Sequence, residues 1–355
     1  MRTLRYSSSA ILALALSSLL LTSNAAGQEA PLPMGRTIGD ACTRSVTLPA
    51  PAPGAMPGPG PAGAPSRAGG PGLTSGPRPP AGFPAPPATP AAEAPTQLVK
   101  VTDDVYAIIN VNHAVMPDIP LYGGNVAVYL TDDGVLLVDA KTDGMHDDLV
   151  AKVASLTEKP IKYVVLTHNH ADHSGGAAKL QAFGAIVVAS AANREHMAAA
   201  DQPGLPEVSY EGHARIVLGG KRVELLEFCG HTSGDTVVYL PDARVLVSGD
   251  LVTTPASIPQ IVNYADGGNW TDMVRALDTL AEFDFDFMIA GHGPVLTKQQ
   301  FLEHRDRMAA LRVRAQELVR EGKSQAEIAE ALTAEFDWGS GFAGQNIPGM
   351  MIELR

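Results

Sequence analysis

Hydrophobic and polar positions alternate along several short stretches in the middle of the chain. The alternation over 98–110 predicts a strand or hairpin, and 125–140 reads as two strands that turn at Asp133 and Gly134. A period of two residues places one side of such a strand in a core. Further apolar runs predict strands at 161–167, 185–190, 222–228, 236–250 and 285–291.

Other stretches carry apolar residues at helical spacing. They predict helices at 147–158, 270–282 and 298–321. Ser324 and Glu327 form the pattern of a capping box and so predict one more helix start. Hairpins that are followed by strands alternating with helices indicate an α/β protein in which sheets pack together and helices lie outside.

The first residues have the character of a secretory signal peptide. Arg2 and Arg5 precede the apolar run 10–21, and Ser23 and Ala25 supply the small residues expected before a cleavage point. The run is shorter than the roughly 20 residues that span a bilayer. We therefore expect 1–25 to be removed, leaving a periplasmic or secreted protein without a membrane span.

The composition changes sharply after the signal peptide. Residues 26–97 are rich in Pro, Gly and Ala, which predicts a disordered or extended linker. We expect the main domain at 98–300 and a helical extension at 301–355. In an oxidising compartment Cys42 and Cys229 are able to pair, and two unpaired thiols remain the alternative.

Net charge narrows the class of partner. The chain has 26 Lys and Arg against 38 Asp and Glu, a formal net charge of −12. Nucleic acid and anionic membranes are bound by clustered cations, so neither is an expected partner. A small-molecule substrate fits better.

Four potential metal ligands are crowded into six positions directly after the strand at 161–167. They are His168, His170, Asp172 and His173. In a compact turn, the first two can point one way and the last two another, so that one segment serves two metal ions. This spacing is hard to explain by packing alone.

More ligands follow later strands, each beside a glycine. They are His231, Asp250 and His292. Imidazole and carboxylate donors suit zinc or iron. Because no cysteine stands among these strand-end residues, a site for a softer metal is disfavoured. The remaining histidines are interpreted as surface or core residues: His113, His146, His196, His213 and His304.

The H-x-H-x-D-H run and the later ligands together resemble the metallo-β-lactamase superfamily over roughly 98–300. The resemblance implies an αββα sandwich of two mixed β-sheets with helices on the outer faces. It also implies that Asp139 is buried and supports the metal loop, residues 168–173, without itself contacting the metal. The implied ligands are His168, His170 and His231 for a first metal, Asp172, His173 and His292 for a second, and Asp250 as a bridge.

The implied activity is that of a secreted binuclear hydrolase with two zinc ions, iron or manganese being alternatives. A metal-bridging hydroxide would attack the carbonyl of an ester, thioester, lactone or cyclic amide such as a β-lactam, with Asp172 orienting it and relaying its proton. Relatives specialised for β-lactams typically carry Cys or Ser in place of Asp250. Two other functions stay open: a mononuclear iron persulfide dioxygenase and a non-catalytic periplasmic binding protein on the same fold.

Two segments are candidates for the substrate walls. The segment 111–124 would form an apolar lip at the entrance to the metal site, and the segment 261–270 would form a second wall. Ordinary loop packing is the alternative for each segment. The candidate residues are Met116, Ile119 and Tyr122 in the first and Asn263, Tyr264 and Trp270 in the second.

Overall fold

The chain divides into two compact units, Met1–Met34 and Gly35–Arg355. The computed structural model describes residues 32–33, 38, 42, 96–111, 119–254, 260–338 and 340–355. Only Leu32 and Pro33 of the first unit are among them, so the account below concerns the second unit. The predicted signal peptide and nearly all of the predicted linker lie outside the described residues, and the domain boundaries stay predictions.

Seven strands form the first sheet in chain order. The first four pair antiparallel and the last four pair parallel, so the sheet is mixed. The strands are β1 Thr96–Lys100, β2 Val105–Asn110, β3 Val126–Leu130, β4 Val135–Val138, β5 Ile161–Val165, β6 Ile186–Ser190 and β7 Val208–Tyr210. The predicted hairpins and the strands predicted at 161–167 and 185–190 are confirmed.

Six strands form the second sheet, in the order β13-β12-β11-β10-β9-β8. Among the described strands of this sheet, only β11 and β12 pair in parallel, and the other neighbours are antiparallel. The strands are β8 His213–Leu218, β9 Lys221–Phe228, β10 Asp235–Leu240, β11 Val245–Thr253, β12 Phe287–His292 and β13 Leu296–Thr297.

Helices connect and flank the sheets. They are α1 Ile119–Tyr122, α2 His146–Ala154, α3 Ala171–Ser174, α4 Ala177–Ala182, α5 Ala191–Ala199, α6 Trp270–Ala281, α7 Lys298–Arg320, α8 Gln325–Phe336 and α9 Ser340–Glu353. The capping box of Ser324 and Glu327 is present at the start of α8. Within the described ranges, no helix combines the length and the hydrophobicity needed to cross a bilayer.

The main core lies between the two sheets. Tyr129 and Leu136 of the first sheet and Leu225 and Val247 of the second belong to one buried cluster. A second cluster covers the other face of the first sheet, where Leu149 of α2 is fully buried. Each such side chain contributes roughly 1.5–3 kcal/mol through the apolar area it removes from water. The predicted αββα sandwich is confirmed.

The two sheets are joined by hydrogen bonds at the edge where β5 and β12 end. The Thr236 amide donates to the Thr167 carbonyl at 2.7 Å, and the Asn125 amide donates to the Gly291 carbonyl at 2.7 Å. The segments that follow β4, β5 and β9 open onto this edge. It therefore brings the strand-end residues of both sheets together.

Candidate metal centre

Three histidines converge at this edge and are called the first cluster: His168 and His231, which are buried, and His170, which is half-buried. His170 Nδ1 lies 3.1 Å from His168 Nε2 and 3.0 Å from His231 Nε2. Donors placed about 2.0–2.1 Å from one tetrahedral zinc ion are about 3.3 Å apart. The spacing of the three nitrogens therefore fits a shared ion.

A second set of donors lies beside the first and is called the second cluster: Asp172, His173 and His292. His292 Nε2 lies 3.2 Å from His173 Nε2 and 3.1 Å from Asp172 Oδ2. His173 Nε2 is 3.5 Å from the same carboxylate oxygen. These distances also fit one tetrahedral site.

Asp250 lies between the two clusters and turns one oxygen toward each. Oδ1 is 3.2 Å from His173 Nε2 and 3.4 Å from His292 Nε2. Oδ2 is 3.7 Å from His231 Nε2 and 4.0 Å from His168 Nε2. Among the described residues, Oδ1 is buried without a well-directed hydrogen bond, although the two imidazoles lie close to it. A cation would satisfy it.

The outer nitrogens of these rings show which atoms face inward as acceptors. His231 Nδ1 lies 3.0 Å from the Ile261 carbonyl oxygen, and His173 Nδ1 lies 2.7 Å from Asp139 Oδ2. A carbonyl or carboxylate oxygen only accepts, so each Nδ1 carries a proton. In a neutral ring the Nε2 then presents a lone pair to the centre, as metal coordination requires.

Electrostatics differ between the clusters. Burial lowers the pKa of His168 well below its usual value, and burial also lowers the pKa of His231 to about 4, so both are neutral. Burial acts the same way on His292, but the carboxylates of Asp250 and Asp172 raise its pKa to about 9. The second cluster thus attracts positive charge, and a divalent cation fits the donors there.

Comparisons with known proteins agree with this geometry. A family model described as the metallo-beta-lactamase superfamily matches residues 119–292. The metallo-beta-lactamase type 2 of Bacillus cereus is 29% identical over 176 residues, which cover 48% of this chain and 67% of that protein. The chain belongs to the metallo-β-lactamase superfamily.

Other relatives carry different names within that superfamily. The hydroxyacylglutathione hydrolase of Rhodobacter capsulatus is 35% identical over 102 residues, covering 28% of this chain and 38% of that protein. A metallo-beta-lactamase structure from Pontibacter korlensis shares the fold, with a TM-score of 0.53 and 22% identity over 60% of this chain and 99% of that one. As a member of the superfamily, the chain is a metallo-hydrolase.

Asp139 joins the end of β4 to the metal loop of the superfamily. Its Oδ1 accepts a hydrogen bond from the Thr167 amide at 2.7 Å, and Oδ2 accepts from the Thr167 hydroxyl at 2.8 Å. The backbone of Asp139 is left-handed, with φ of 70°, a conformation that Asp tolerates better than most residues. The carboxylate therefore orients both the start of the loop and the ring of His173.

Two glycines allow the backbone to approach the donors closely. A Cβ atom at Gly124 would lie 2.2 Å from the ring of His173, and one at Gly291 would lie 2.0 Å from Asp250 Oδ1. Any other residue would displace the donor side chain. Glycine is required at both positions by this packing.

Asp266 supports the first cluster and was missed by the sequence analysis. Its Oδ2 accepts hydrogen bonds from Asn169 Nδ2 at 3.0 Å and from Asn263 Nδ2 at 2.9 Å, and it lies 3.2 Å from His170 Nε2. His170 Nδ1 faces the cluster, which leaves Nε2 to donate to this carboxylate. The sequence around Asp266 contains no recognisable metal-site motif, although the residue lies within the segment 261–270 that was predicted as a substrate wall.

The predicted substrate wall at 261–270 requires correction. Tyr264 and Trp270 are 5% and 0% exposed, so neither side chain faces a substrate space. Their polar groups are bonded to Glu353 and Asn346 of α9 instead. Asn263 Nδ2 lies 2.7 Å from His170 Nε2, the ring nitrogen that faces away from the first cluster, so Asn263 contacts this ring from behind.

The predicted lip at 111–124 is only partly described. Met116 lies outside the described residues, and of Ile119 only the backbone, at the start of α1, is described. Tyr122 is half-buried, and its carbonyl accepts a hydrogen bond from Lys141 Nζ at 3.3 Å. Leu121 is 43% exposed. Substrate contact by this segment stays a prediction.

The cysteines form a disulfide between Cys42 and Cys229, with Cα atoms 5.5 Å apart. The sequence left pairing and free thiols equally open. Because its sulfur is used in this bond, Cys229 is not available as a metal ligand although it precedes His231 by two residues. Cys42 belongs to the predicted linker, which is therefore fixed to the domain at this point.

Proposed function

We propose that this protein is a binuclear metal-dependent hydrolase that attacks the carbonyl of an ester, thioester, lactone or β-lactam. The observation that carries the proposal is the orientation of Asp250, whose two oxygens face two separate donor clusters. A carboxylate between two dications bridges them and sets their separation. A single ion in the first cluster would use only the Asp250 oxygen that faces that cluster, and the other oxygen would remain directed at the second cluster.

The donors divide between the two ions by geometry. The first cluster would hold one ion and the second cluster the other, with Asp250 shared. When bound, two zinc ions supply Lewis acidity and lower the pKa of a water to about 7. Asp172 would orient that water and accept its proton, while Asp139 and Asp266 hold the imidazoles in the required tautomers.

The relatives give the proposal its substrate classes. One is named a metallo-beta-lactamase and another a hydroxyacylglutathione hydrolase, that is, a thioesterase. Nitrogen and oxygen donors make up both clusters, and Asp250 stands where relatives specialised for β-lactams carry Cys or Ser. We therefore rank thioesters and lactones above β-lactams.

We further propose that the protein works in the periplasm or outside the cell. The Cys42–Cys229 disulfide supports this location, because disulfides persist in oxidising compartments. The signal-peptide features of residues 1–25 agree with it.

Metal analysis combined with a substrate panel tests the function. We expect about two zinc ions per chain and turnover of at least one ester, thioester, lactone or β-lactam, lost on chelation and restored by zinc. One iron per chain with oxygen consumption on a persulfide would favour the dioxygenase instead. A metal-loaded protein without turnover on the whole panel would favour the binding protein.

A further inference from the structure

Glu353 lies at the end of α9 and is 2% exposed. Its carboxylate accepts hydrogen bonds from residues between 264 and 271, the first of which lies 89 residues earlier in the chain. Oε2 accepts hydrogen bonds from the Tyr264 hydroxyl at 2.9 Å and the Trp270 amide at 3.0 Å. Oε1 accepts from the amide and hydroxyl of Thr271, at 2.8 and 2.5 Å. Trp270 and Thr271 begin α6, whose free amides favour an anion at this position.

The same face of α9 contacts this segment at two earlier points. Asn346 Oδ1 accepts hydrogen bonds from the Val262 amide at 2.8 Å and from Trp270 Nε1 at 3.3 Å. A Cβ atom at Gly349 would lie 2.2 Å from the ring of Tyr264, so glycine is needed for this contact. Positions 346, 349 and 353 share one side of a helix. One helix face therefore holds the segment 262–271.

The segment held by α9 supports two of the three histidines in the first cluster. His231 Nδ1 donates to the Ile261 carbonyl at 3.0 Å, and the Asn263 amide donates to the His231 carbonyl at 2.8 Å. Asp266 Oδ2 lies 3.2 Å from His170 Nε2. The orientation of both rings thus depends on where residues 261–266 lie.

His173 of the second cluster is supported from the first sheet. His173 is oriented by Asp139 at the end of β4 and packs against Gly124 before β3. Both contacts come from the first sheet, whereas α9 contacts the segment before α6. A disturbance at α9 should therefore reach the first cluster before it reaches the second.

We propose that Glu353 is a positioning residue for the first metal site, acting through Tyr264 and the start of α6 on the segment 261–266. The C-terminal helix is then a working part of the metal centre although it supplies no donor to it. This inference rests on the metal binding proposed above. Changing Glu353 to Gln replaces one acceptor oxygen by an NH2 donor, which opposes the donors that converge there.

Variants that retain a single cluster allow the two sites to be measured separately. His292→Ala leaves the first cluster complete, and His168→Ala leaves the second. Glu353→Gln is added to each, and zinc affinity is measured by competition with a chelator on the full chain. Glu335→Gln is the matched control, since Glu335 is an exposed glutamate of α8 bonded to Arg314.

With His292→Ala, we expect Glu353→Gln to weaken zinc binding by about 10-fold or more, as loss of support behind a ligand does. With His168→Ala we expect less than about a 2-fold change. The control should change neither. An equal loss of zinc affinity in both backgrounds would show a general effect on the fold. No loss of affinity in the His292→Ala background would mean that Glu353 only caps α6. Either result overturns the proposal.

Intrinsic fluorescence supplies an independent readout. The chain has two tryptophans, and both lie at this contact, since the rings of Trp270 and Trp338 are 5.8 Å apart. We expect Glu353→Gln to shift the emission of the metal-free protein to the red, and zinc to reverse part of the shift only when the first cluster is intact.

A milder substitution covers the case in which Glu353→Gln fails to fold. Tyr264→Phe removes one hydroxyl from the carboxylate and should give a smaller loss with the same preference for the first cluster. Absence of that preference would also contradict the proposal. A wild-type protein that binds no zinc would instead contradict the proposed function.

Discussion

Asp139 Oδ2 lies 2.7 Å from His173 Nδ1, across 34 residues of sequence. The contact connects a residue with a left-handed backbone at the end of β4 to the middle of the metal loop. It fixes which nitrogen of His173 is protonated and hence which one faces Asp250. The Asp139 carboxylate therefore sets which nitrogen of His173 is presented to the second cluster, although Asp139 is not itself a donor of that cluster.

Replacing Asp139 by Asn should weaken the second site while preserving the fold. Asn accepts the left-handed backbone and keeps the size of the side chain, but it loses the charge that holds the His173 proton. We expect the affinity for the second zinc ion to fall by about 10–100-fold, measured by zinc titration. Asp132→Asn, at an exposed turn, serves as the control, and an equal effect of both changes would contradict the assignment.

Replacing Asp250 by Asn tests the bridge directly. Asn keeps the size and most hydrogen bonding, but it carries no charge to place between two dications. Metal content should fall toward one ion per chain and kcat should fall by roughly 100-fold or more, with an unchanged circular dichroism spectrum. Near-normal metal content and kcat would return Asp250 to an ordinary strand residue.

Removing His168 should affect the first cluster most strongly. Three imidazoles define that cluster, so His168→Ala should lose about one zinc ion and nearly all turnover. The matched control is His213→Gln, because His213 lies on β8 and Nε2 is 2.7 Å from Glu224. The ligand assignment is wrong if metal analysis cannot distinguish these two variants.

Lys141 gives a prediction for stability against pH. Burial lowers its pKa to about 7, while Nζ donates to the Gly124 carbonyl at 2.7 Å and to Asn110 Oδ1 at 3.1 Å. Between pH 7 and about 10.4 the unfolded chain carries a proton on this amine that the folded chain lacks. Because the unfolded state binds more protons in that window, the free energy of unfolding should rise with pH, by at most about 1.4 kcal/mol per unit.

Chemical denaturation of the metal-free protein at pH 7, 8 and 9 measures this rise. Lys141→Met keeps the length of the side chain without a titrating group, so the difference in unfolding free energy between wild type and variant should grow with pH. A constant difference over the window would mean that the amine is charged in the folded protein.

The sequence predicted the strands and the strand-end donors because each depends on local pattern. An apolar run predicts a strand from neighbouring residues alone, and a histidine directly after it, such as His168 or His292, is then predicted to lie at the end of that strand. Asp266 could not be found in this way, since its partner His170 lies 96 residues earlier and the pairing depends on how the loops fold over the edge. Tyr264 was misjudged because its burial is decided by α9, a helix with no clear apolar period to reveal it.

The disulfide changes how the chain is connected. The Cys42–Cys229 bond closes a ring that contains His168, His170, Asp172 and His173, while His231, Asp250 and His292 follow it on the open part of the chain. Each donor cluster therefore has members from both parts. Two bound ions would join the ring to the open part independently of the disulfide. A backbone cut between residues 174 and 228 would then yield two polypeptides that are joined by the disulfide and, when the ions are bound, by both metal sites.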